Sequence, residues 1–165
     1  MITLVLGGAR SGKSAVAERL AERAGSAVTY VATISVGEDL DLAERVAIHQ
    51  TRRPPHWVTV ECGPDLAGVL EGVGGVVLID SLGPWLAGLS EGTLDVDALC
   101  AALKARAGDT IIVSDEAGLG VHPSTQAGRE FRDALGLLNQ AVARDADVVL
   151  LVVAGRILRL QSGDF

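Results

Sequence analysis

Residues 2–14 read ITLVLGGARSGKS, which predicts a buried strand, a glycine-rich turn and the start of a helix. The turn is GGARSGKS, Gly7-Gly8-Ala9-Arg10-Ser11-Gly12-Lys13-Ser14, and it satisfies the spacing G-x-x-x-x-G-K-S/T. Its glycines let backbone N–H groups approach phosphate oxygens at the positive end of the helix. Lys13 would reach the β- and γ-phosphates of a nucleotide, and the Ser14 hydroxyl would ligate Mg²⁺. This stretch therefore predicts a nucleotide-binding loop.

Outside this loop, apolar runs alternate with amphipathic stretches along the whole chain. The patterns predict strands at residues 2–6, 27–33, 57–60, 76–79, 110–113, 148–154 and 157–160, and helices at residues 14–24, 38–53, 65–71, 84–89, 96–107 and 125–143. Strands that are apolar throughout indicate a mostly parallel sheet with helices on both faces. Because no repeat or linker interrupts the pattern, we predict one α/β domain over residues 1–165.

The composition excludes several classes of protein. The chain has 165 residues, is 48% hydrophobic and carries a formal net charge of −7, which argues against disorder and against nucleic-acid binding. No apolar run approaches the length of a membrane span, and the basic residues of the N-terminus follow its apolar stretch, unlike a secretory signal. Cys62 and Cys100 lack the spacing of a zinc site or a disulfide framework. These features predict a soluble cytoplasmic protein.

Two acidic residues follow predicted strands and are candidates for work on phosphate groups. Asp80 ends the run VVLID and could hold Mg²⁺ together with Ser14, although an aspartate in this position can also cap the next helix. Glu116 follows the strand at residues 110–113 and could act as a base or orient a hydroxyl group. Asp115 stands beside Glu116, and the sequence leaves open which of the two carboxylates has this role.

His49 differs from the other histidines through its neighbours on the predicted helix. Arg45 and Arg52 lie four residues before it and three after it, so one helix face carries an imidazole between two guanidinium groups. This arrangement suits attack on a phosphorus atom, with the arginines as an anion clamp. The alternative is an ordinary solvated basic face. We interpret His56 and His122 as structural residues.

Several segments resemble the bifunctional adenosylcobinamide kinase / adenosylcobinamide-phosphate guanylyltransferases of cobalamin biosynthesis. The similar segments are GGARSGKS at 7–14, YVAT at 30–33, RVAIH at 45–49, RRPPHWVTVE at 52–61, VVLID at 76–80, EAGLG at 116–120 and GREFRDALGLLNQ at 128–140. The phosphate loop alone occurs in many nucleotide enzymes. Its combination with the RxxxH segment and the final helix is far more specific. Asp115 departs from the family, in which asparagine is frequent at this place.

The resemblance implies a P-loop NTPase fold of the RecA-like type and a two-step enzyme. ATP or GTP would phosphorylate the aminopropanol hydroxyl of adenosylcobinamide, and GTP would then guanylylate His49, which passes GMP to adenosylcobinamide phosphate. The implied nucleotide contacts are the phosphate loop, Val31, Ala32, Thr33, Gln50, Thr51, Arg52, Arg53, Glu61 and Asp80. The implied catalytic set is His49, Lys13 and Glu116, with Mg²⁺ held by Ser14 and Asp80. The resemblance also implies a homo-oligomer, with a trimer favoured.

Two other functions remain compatible with the residues. One is a small-molecule kinase that uses only the γ-phosphate, in which His49 merely binds anions. The other is a nucleotide-binding switch or assembly protein with little turnover. Neither of them needs a histidine nucleophile, so covalent labelling of the protein by GTP distinguishes both from the two-step enzyme.

Overall fold

The computed structural model describes residues 1–33, 54–90 and 92–163. The strands are β1 Ile2–Gly7, β2 Val28–Ala32, β3 Val58–Glu61, β4 Val76–Asp80, β5 Thr110–Asp115, β6 Val148–Val153 and β7 Arg156–Leu160. The helices within this part of the chain are α1 Lys13–Ala24, α2 Leu66–Gly72, α3 Leu82–Gly88, α4 Val96–Ala105 and α5 Gln126–Asp145. The helix predicted over residues 38–53 lies outside the described residues.

The seven strands of the described residues belong to one sheet, in the order β3-β2-β4-β5-β1-β6-β7. Every neighbouring pair is parallel except β6 and β7, which form an antiparallel hairpin at one edge. In consequence the carboxyl ends of β1 to β5 lie along the same side of the sheet, where open α/β sheets bind their ligands. The mostly parallel sheet confirms the predicted α/β class.

Alternate residues of the central strands enter two separate cores, one on each face of the sheet. On β4, Val77 and Ile79 pack with residues of α2 to α5, whereas Val76 and Leu78 pack with residues of α1. This alternation follows from the two-residue period of a strand. Helices therefore cover both faces, as predicted, and α1 lies alone among the described helices on its face.

Several helix boundaries differ from the sequence prediction, among them the start of α3 and the end of α4. Helix α3 begins at Leu82, two residues before the predicted start, because Pro84 is tolerated in the first turn, where N–H groups have no partner within the helix. Helix α4 ends at Ala105 because Arg106 is extended, with ψ 134°. The Arg106 guanidinium donates to the carbonyl oxygens of Leu70 and Gly75 at 3.0 and 2.8 Å, and burial lowers its pKa. This side chain joins the end of α4 to the segment before β4.

Side chains cap three of the helices. Asp65, Asp95 and Thr125 each accept a hydrogen bond from the backbone N–H three residues further on, and so begin α2, α4 and α5. Within the described residues, no helix combines the length and the apolar character that crossing a membrane requires.

Candidate active site

The loop between β1 and α1 has the conformation that its glycines permit. Gly12 adopts φ 93°, and Arg10 is held in the left-handed region at φ 56°. A Cβ atom on Gly7 would lie 2.8 Å from the carbonyl oxygen of Val152, so this position has no room for a side chain. The N–H of Gly155 donates to the carbonyl oxygen of Ser11 at 2.8 Å, which attaches the loop to the β6–β7 turn. The loop is therefore supported from the neighbouring hairpin as well as by its own strand.

Lys13 contacts Asp115, one of the two neighbouring carboxylates between which the sequence did not decide. Its Nζ is 2.7 Å from Oδ1 of Asp115 and 3.3 Å from the carbonyl oxygen of Gly8. The Lys13 side chain is 13% exposed and that of Asp115 is 35% exposed, so the pair borders on solvent. The other Asp115 oxygen faces α3, where a Cβ on Gly83 would lie 2.5 Å from Oδ2. Asp115, rather than Glu116, is thus the carboxylate that contacts the phosphate-loop lysine.

Ser14 and Asp80 lie together, as the sequence predicted. The Ser14 hydroxyl donates to Asp80 Oδ1 at 3.3 Å, and the Tyr30 hydroxyl donates to Asp80 Oδ2 at 3.0 Å. Strand β5 separates β4, which ends at Asp80, from β1, which precedes the helix that carries Ser14. Helix α1 bridges this separation because it packs across both β4 and β5. The result is a hydroxyl and a carboxylate oxygen at the first turn of α1.

This oxygen pair fits Mg²⁺ better than it fits a transition metal. Among residues 1–33, 54–90 and 92–163, no three histidine, cysteine or acidic side chains form a metal-binding group. Mg²⁺ does not need one, since it usually takes one or two protein oxygen ligands and completes its shell with water and substrate phosphates. Ser14 and Asp80 are the residues that would hold it.

A buried amide fixes the turn that carries Asp115 and Glu116. Asn139 of α5 donates from Nδ2 to the carbonyl oxygen of Asp115 at 3.0 Å, and its Oδ1 accepts from the Ser114 hydroxyl at 2.6 Å. The N–H of Glu116 donates to the carbonyl oxygen of Gly7 at 3.1 Å, and Glu116 Oε1 accepts from the N–H of Gly118 at 2.7 Å. The end of β5 is therefore attached both to α5 and to the phosphate loop.

The predicted contacts on β2 and β3 occupy the same side of the sheet. Thr33 forms a reciprocal pair with the backbone of Ser81, because its hydroxyl donates to the carbonyl oxygen and accepts from the N–H, each at 2.8 Å. The Val31 side chain is fully buried, so only its backbone could touch a ligand. Glu61 ends β3 opposite Ala32 and is exposed. These residues lie at the carboxyl ends of their strands.

The sequence of the chain matches the CobU family, described as cobinamide kinase / cobinamide phosphate guanyltransferase, over residues 3–160. The chain belongs to this family. It is 43% identical over 164 residues to the bifunctional adenosylcobalamin biosynthesis protein CobP of Pseudomonas aeruginosa, covering 94% of each chain. It is 37% identical to the corresponding CobU protein of Salmonella typhimurium, covering 94% of this chain and 97% of that one. The resemblance inferred from the sequence motifs is confirmed.

The fold of this CobU-family chain is similar to that of an ATPase from the type III secretion system of pathogenic bacteria. The TM-score is 0.55 at 11% sequence identity, over 91% of this chain and 50% of the other. At so low an identity the similarity concerns the fold alone, an α/β fold with a mostly parallel sheet.

Part of the predicted site of this CobU-family chain lies outside the described residues. His49, its flanking residues Arg45 and Arg52, and the neighbouring contacts Gln50, Thr51 and Arg53 all belong to residues 34–53. Their roles as nucleophile, anion clamp and nucleotide contacts stay predictions. The other two histidines, His56 and His122, are both exposed. Nδ1 of His122 lies 2.9 Å from Nη1 of Arg132.

Sequence reasoning missed two residues that position the site. Tyr30 stood inside a quoted motif but was not assigned a contact, and its bond to Asp80 depends on β2 and β4 being neighbours. Asn139 carried a visible signal, since it falls among Leu135, Leu138 and Val142 on the buried side of α5. A single amide on an apolar helix face needs a buried partner. That signal could have directed attention to the end of β5.

Proposed function

We propose that the protein phosphorylates the aminopropanol hydroxyl of adenosylcobinamide and then transfers GMP from GTP to the phosphorylated product, forming adenosyl-GDP-cobinamide. The observation that carries this proposal is the meeting of Lys13, Ser14, Asp80 and Asp115 around the phosphate loop of a CobU-family chain. The loop supplies the hydrogen-bond donors that a triphosphate needs. Membership of the CobU family indicates that the acceptor is a cobinamide.

In the kinase step, the acceptor hydroxyl attacks the γ-phosphorus of ATP or GTP. A new P–O bond forms, the bond to the β-phosphate oxygen breaks, and the nucleoside diphosphate leaves. Lys13 and the loop N–H groups would stabilise charge on the phosphate oxygens. Mg²⁺, when held by Ser14 and Asp80, would supply further neutralisation of that charge. Because Asp115 contacts Lys13, we assign Glu116 as the group that takes the hydroxyl proton.

In the transfer step, we propose that an imidazole nitrogen of His49 attacks the α-phosphorus of GTP. A P–N bond forms, and pyrophosphate leaves as the P–O bond breaks. An oxygen of the corrinoid phosphate then attacks the same phosphorus and the imidazole leaves, which restores the enzyme. Arg45 and Arg52 would bind the oxygens of the reacting phosphate. The covalent intermediate splits one difficult transfer into two easier ones.

The guanylyl step is tested by incubating the protein with Mg²⁺ and GTP labelled at the α-phosphate. We expect label that is lost in acid and stable in alkali on the parent protein, and no label on His49→Ala. His56→Ala is the matched control, because this exposed histidine has no assigned role in catalysis or nucleotide binding and should leave labelling intact. Label retained by His49→Ala would remove His49 as nucleophile.

The kinase step needs a separate assay with adenosylcobinamide and triphosphate labelled at the γ-phosphate. Transfer of this label to the corrinoid is expected from ATP or GTP, and assaying each separately identifies the phosphate donor. Phosphorylation without any covalent GMP would support the plain kinase instead, and neither activity would support a nucleotide-binding switch.

We also propose that the protein forms a homo-oligomer, with three chains favoured, and works in the cytoplasm. Support for assembly comes from the β6–β7 hairpin, where Val153, Ile157 and Leu158 are 60%, 52% and 59% exposed. Apolar side chains on an edge strand are typical of a contact surface.

Support for the location in the cytoplasm comes from Cys62 and Cys100, which are free thiols whose pKa values are raised by burial.

A further inference from the structure

A cavity of about 380 Å³ lies between the loop after β5 and helix α5. Glu116 and Gly118 line it from the loop, and Arg132, Asp133, Leu137 and Gln140 line it from the helix. It adjoins the phosphate loop, because the Glu116 N–H is bonded to the carbonyl oxygen of Gly7. A ligand in this cavity would therefore border on the end of a triphosphate held by the loop.

The charges of the lining disfavour a second nucleotide. Two carboxylates, Glu116 and Asp133, face one guanidinium, Arg132. That guanidinium is already engaged, since Nε and Nη2 lie 2.9 and 2.8 Å from Asp133 Oδ1 and Nη1 lies 2.9 Å from His122 Nδ1. A phosphate group would be repelled by the net negative charge of this lining, whereas an uncharged or cationic ligand would not be repelled.

The remaining lining is suited to a ligand with both apolar and amide groups. Leu137 is 67% exposed, and Gly136 beside it has no side chain, so apolar surface opens to the cavity. Gln140 lies one helical turn further on the same side and offers both an amide donor and an amide acceptor. Such mixed linings hold small molecules by burying apolar surface and orienting a few polar groups.

We propose that this cavity binds the hydroxyl-bearing arm of the corrinoid acceptor, an inference that rests on the proposed function. A volume of about 380 Å³ accommodates the aminopropanol arm and an adjacent amide side chain but not the corrin ring. The ring stays outside, towards Leu119 and Val121, which continue the same loop and are 80% and 95% exposed. Glu116 lies between the cavity and the phosphate loop, so it is placed to meet the hydroxyl proton.

The test substitutes the exposed apolar side chain of the cavity. Leu137→Gln should raise the KM for adenosylcobinamide in the kinase assay by about tenfold, because it removes apolar contact from the acceptor. The Kd of GTP, titrated without corrinoid, should move less than about twofold if the cavity is separate from the nucleotide site. The matched control is Val58→Gln, which alters a residue 60% exposed at the amino end of β3, on the opposite side of the sheet.

Gln140→Ala provides a second variant that removes a polar contact without changing the apolar surface. Binding of adenosylcobinamide, measured by equilibrium dialysis, should weaken in both cavity variants and stay unchanged in Val58→Gln. The inference would be overturned if both cavity variants bound adenosylcobinamide as tightly as the parent does. It would also be overturned if the affinity for GTP fell by the same factor as the KM for adenosylcobinamide rose. A parent protein that does not phosphorylate adenosylcobinamide would instead overturn the proposed function, so the two failures are distinguishable.

Discussion

The lysine of the phosphate loop can be tested against the other lysine of the chain. Lys13→Met should reduce both kinase turnover and guanylyl labelling by about a hundredfold or more, because a charged donor to the triphosphate is lost. The fold should persist, since the ion pair with Asp115 is partly exposed and such pairs contribute about 1 kcal/mol or less. Steady-state kinetics, labelling and thermal unfolding measure these effects.

Lys104→Met is the control, because Lys104 pairs with Asp145 at 3.2 Å on the surface and its side chain is 58% exposed. Activity that survives in Lys13→Met, or falls equally in both variants, would contradict the assigned role of Lys13.

Asp115 and a bound triphosphate compete for the same ammonium group. Asp115→Asn keeps the shape of the side chain and removes its charge, so we expect the Kd of GTP without Mg²⁺ to fall about two- to fivefold. Titrations in EDTA and in Mg²⁺ measure the change, with Asp145→Asn as the control. Weaker binding in Asp115→Asn would mean that Asp115 holds Lys13 in its productive position.

Residue contacts were predictable where a motif defined both partners. Ser14 and Asp80 were expected to meet because each stood at a known place relative to a strand. The contact of Lys13 with Asp115 was not predictable, because successive residues at a strand end point to opposite faces. Sequence alone does not say which of Asp115 and Glu116 faces the loop.

At the scale of elements, α5 stabilises the end of β5 through one buried amide. Asn139→Ala removes both of its bonds and leaves the buried Ser114 hydroxyl without this partner, so the free energy of unfolding should fall by about 1–3 kcal/mol. Turnover should fall too, because the turn carrying Asp115 and Glu116 loses its attachment. Urea unfolding and kinase kinetics measure the two effects.

The control is Gln126→Ala on the same helix, which removes only an exposed bond to Glu130. A stability loss no larger in Asn139→Ala than in this control would exclude the proposed attachment.

Element types were predictable because apolar strands and amphipathic helices have different periods. The residues at which helices and strands begin and end were less predictable. The end of α4 depends on Arg106 reaching carbonyl oxygens of a segment more than thirty residues away in the chain, a contact that local pattern does not contain. Residues 125 and 65 were predicted as helical and instead cap their helices, since a capping side chain precedes the first helical turn.

At the scale of the molecule, the sheet has two edges with different surfaces. The order of the strands was not predictable, because parallel strands with similar apolar runs can be arranged in several ways. Strand β3 forms one edge and has four residues. Strand β7 forms the other edge, and all five of its residues are exposed. The apolar hairpin edge is the surface that assembly would bury.

Assembly through the hairpin predicts that a charge on β7 reduces the size of the particle. Ile157 and Leu158 lie on opposite faces of the strand, so Ile157→Lys and Leu158→Lys each place a cation on one face. We expect the parent to sediment at three times the 17.0 kDa of a single chain, and the variant on the buried face to dissociate, because an unpaired charge is costly to bury. Val58→Lys, on the other edge, should leave the particle intact. A parent that sediments at 17.0 kDa would contradict assembly altogether, whereas dissociation by Val58→Lys alone would move the contact surface to β3.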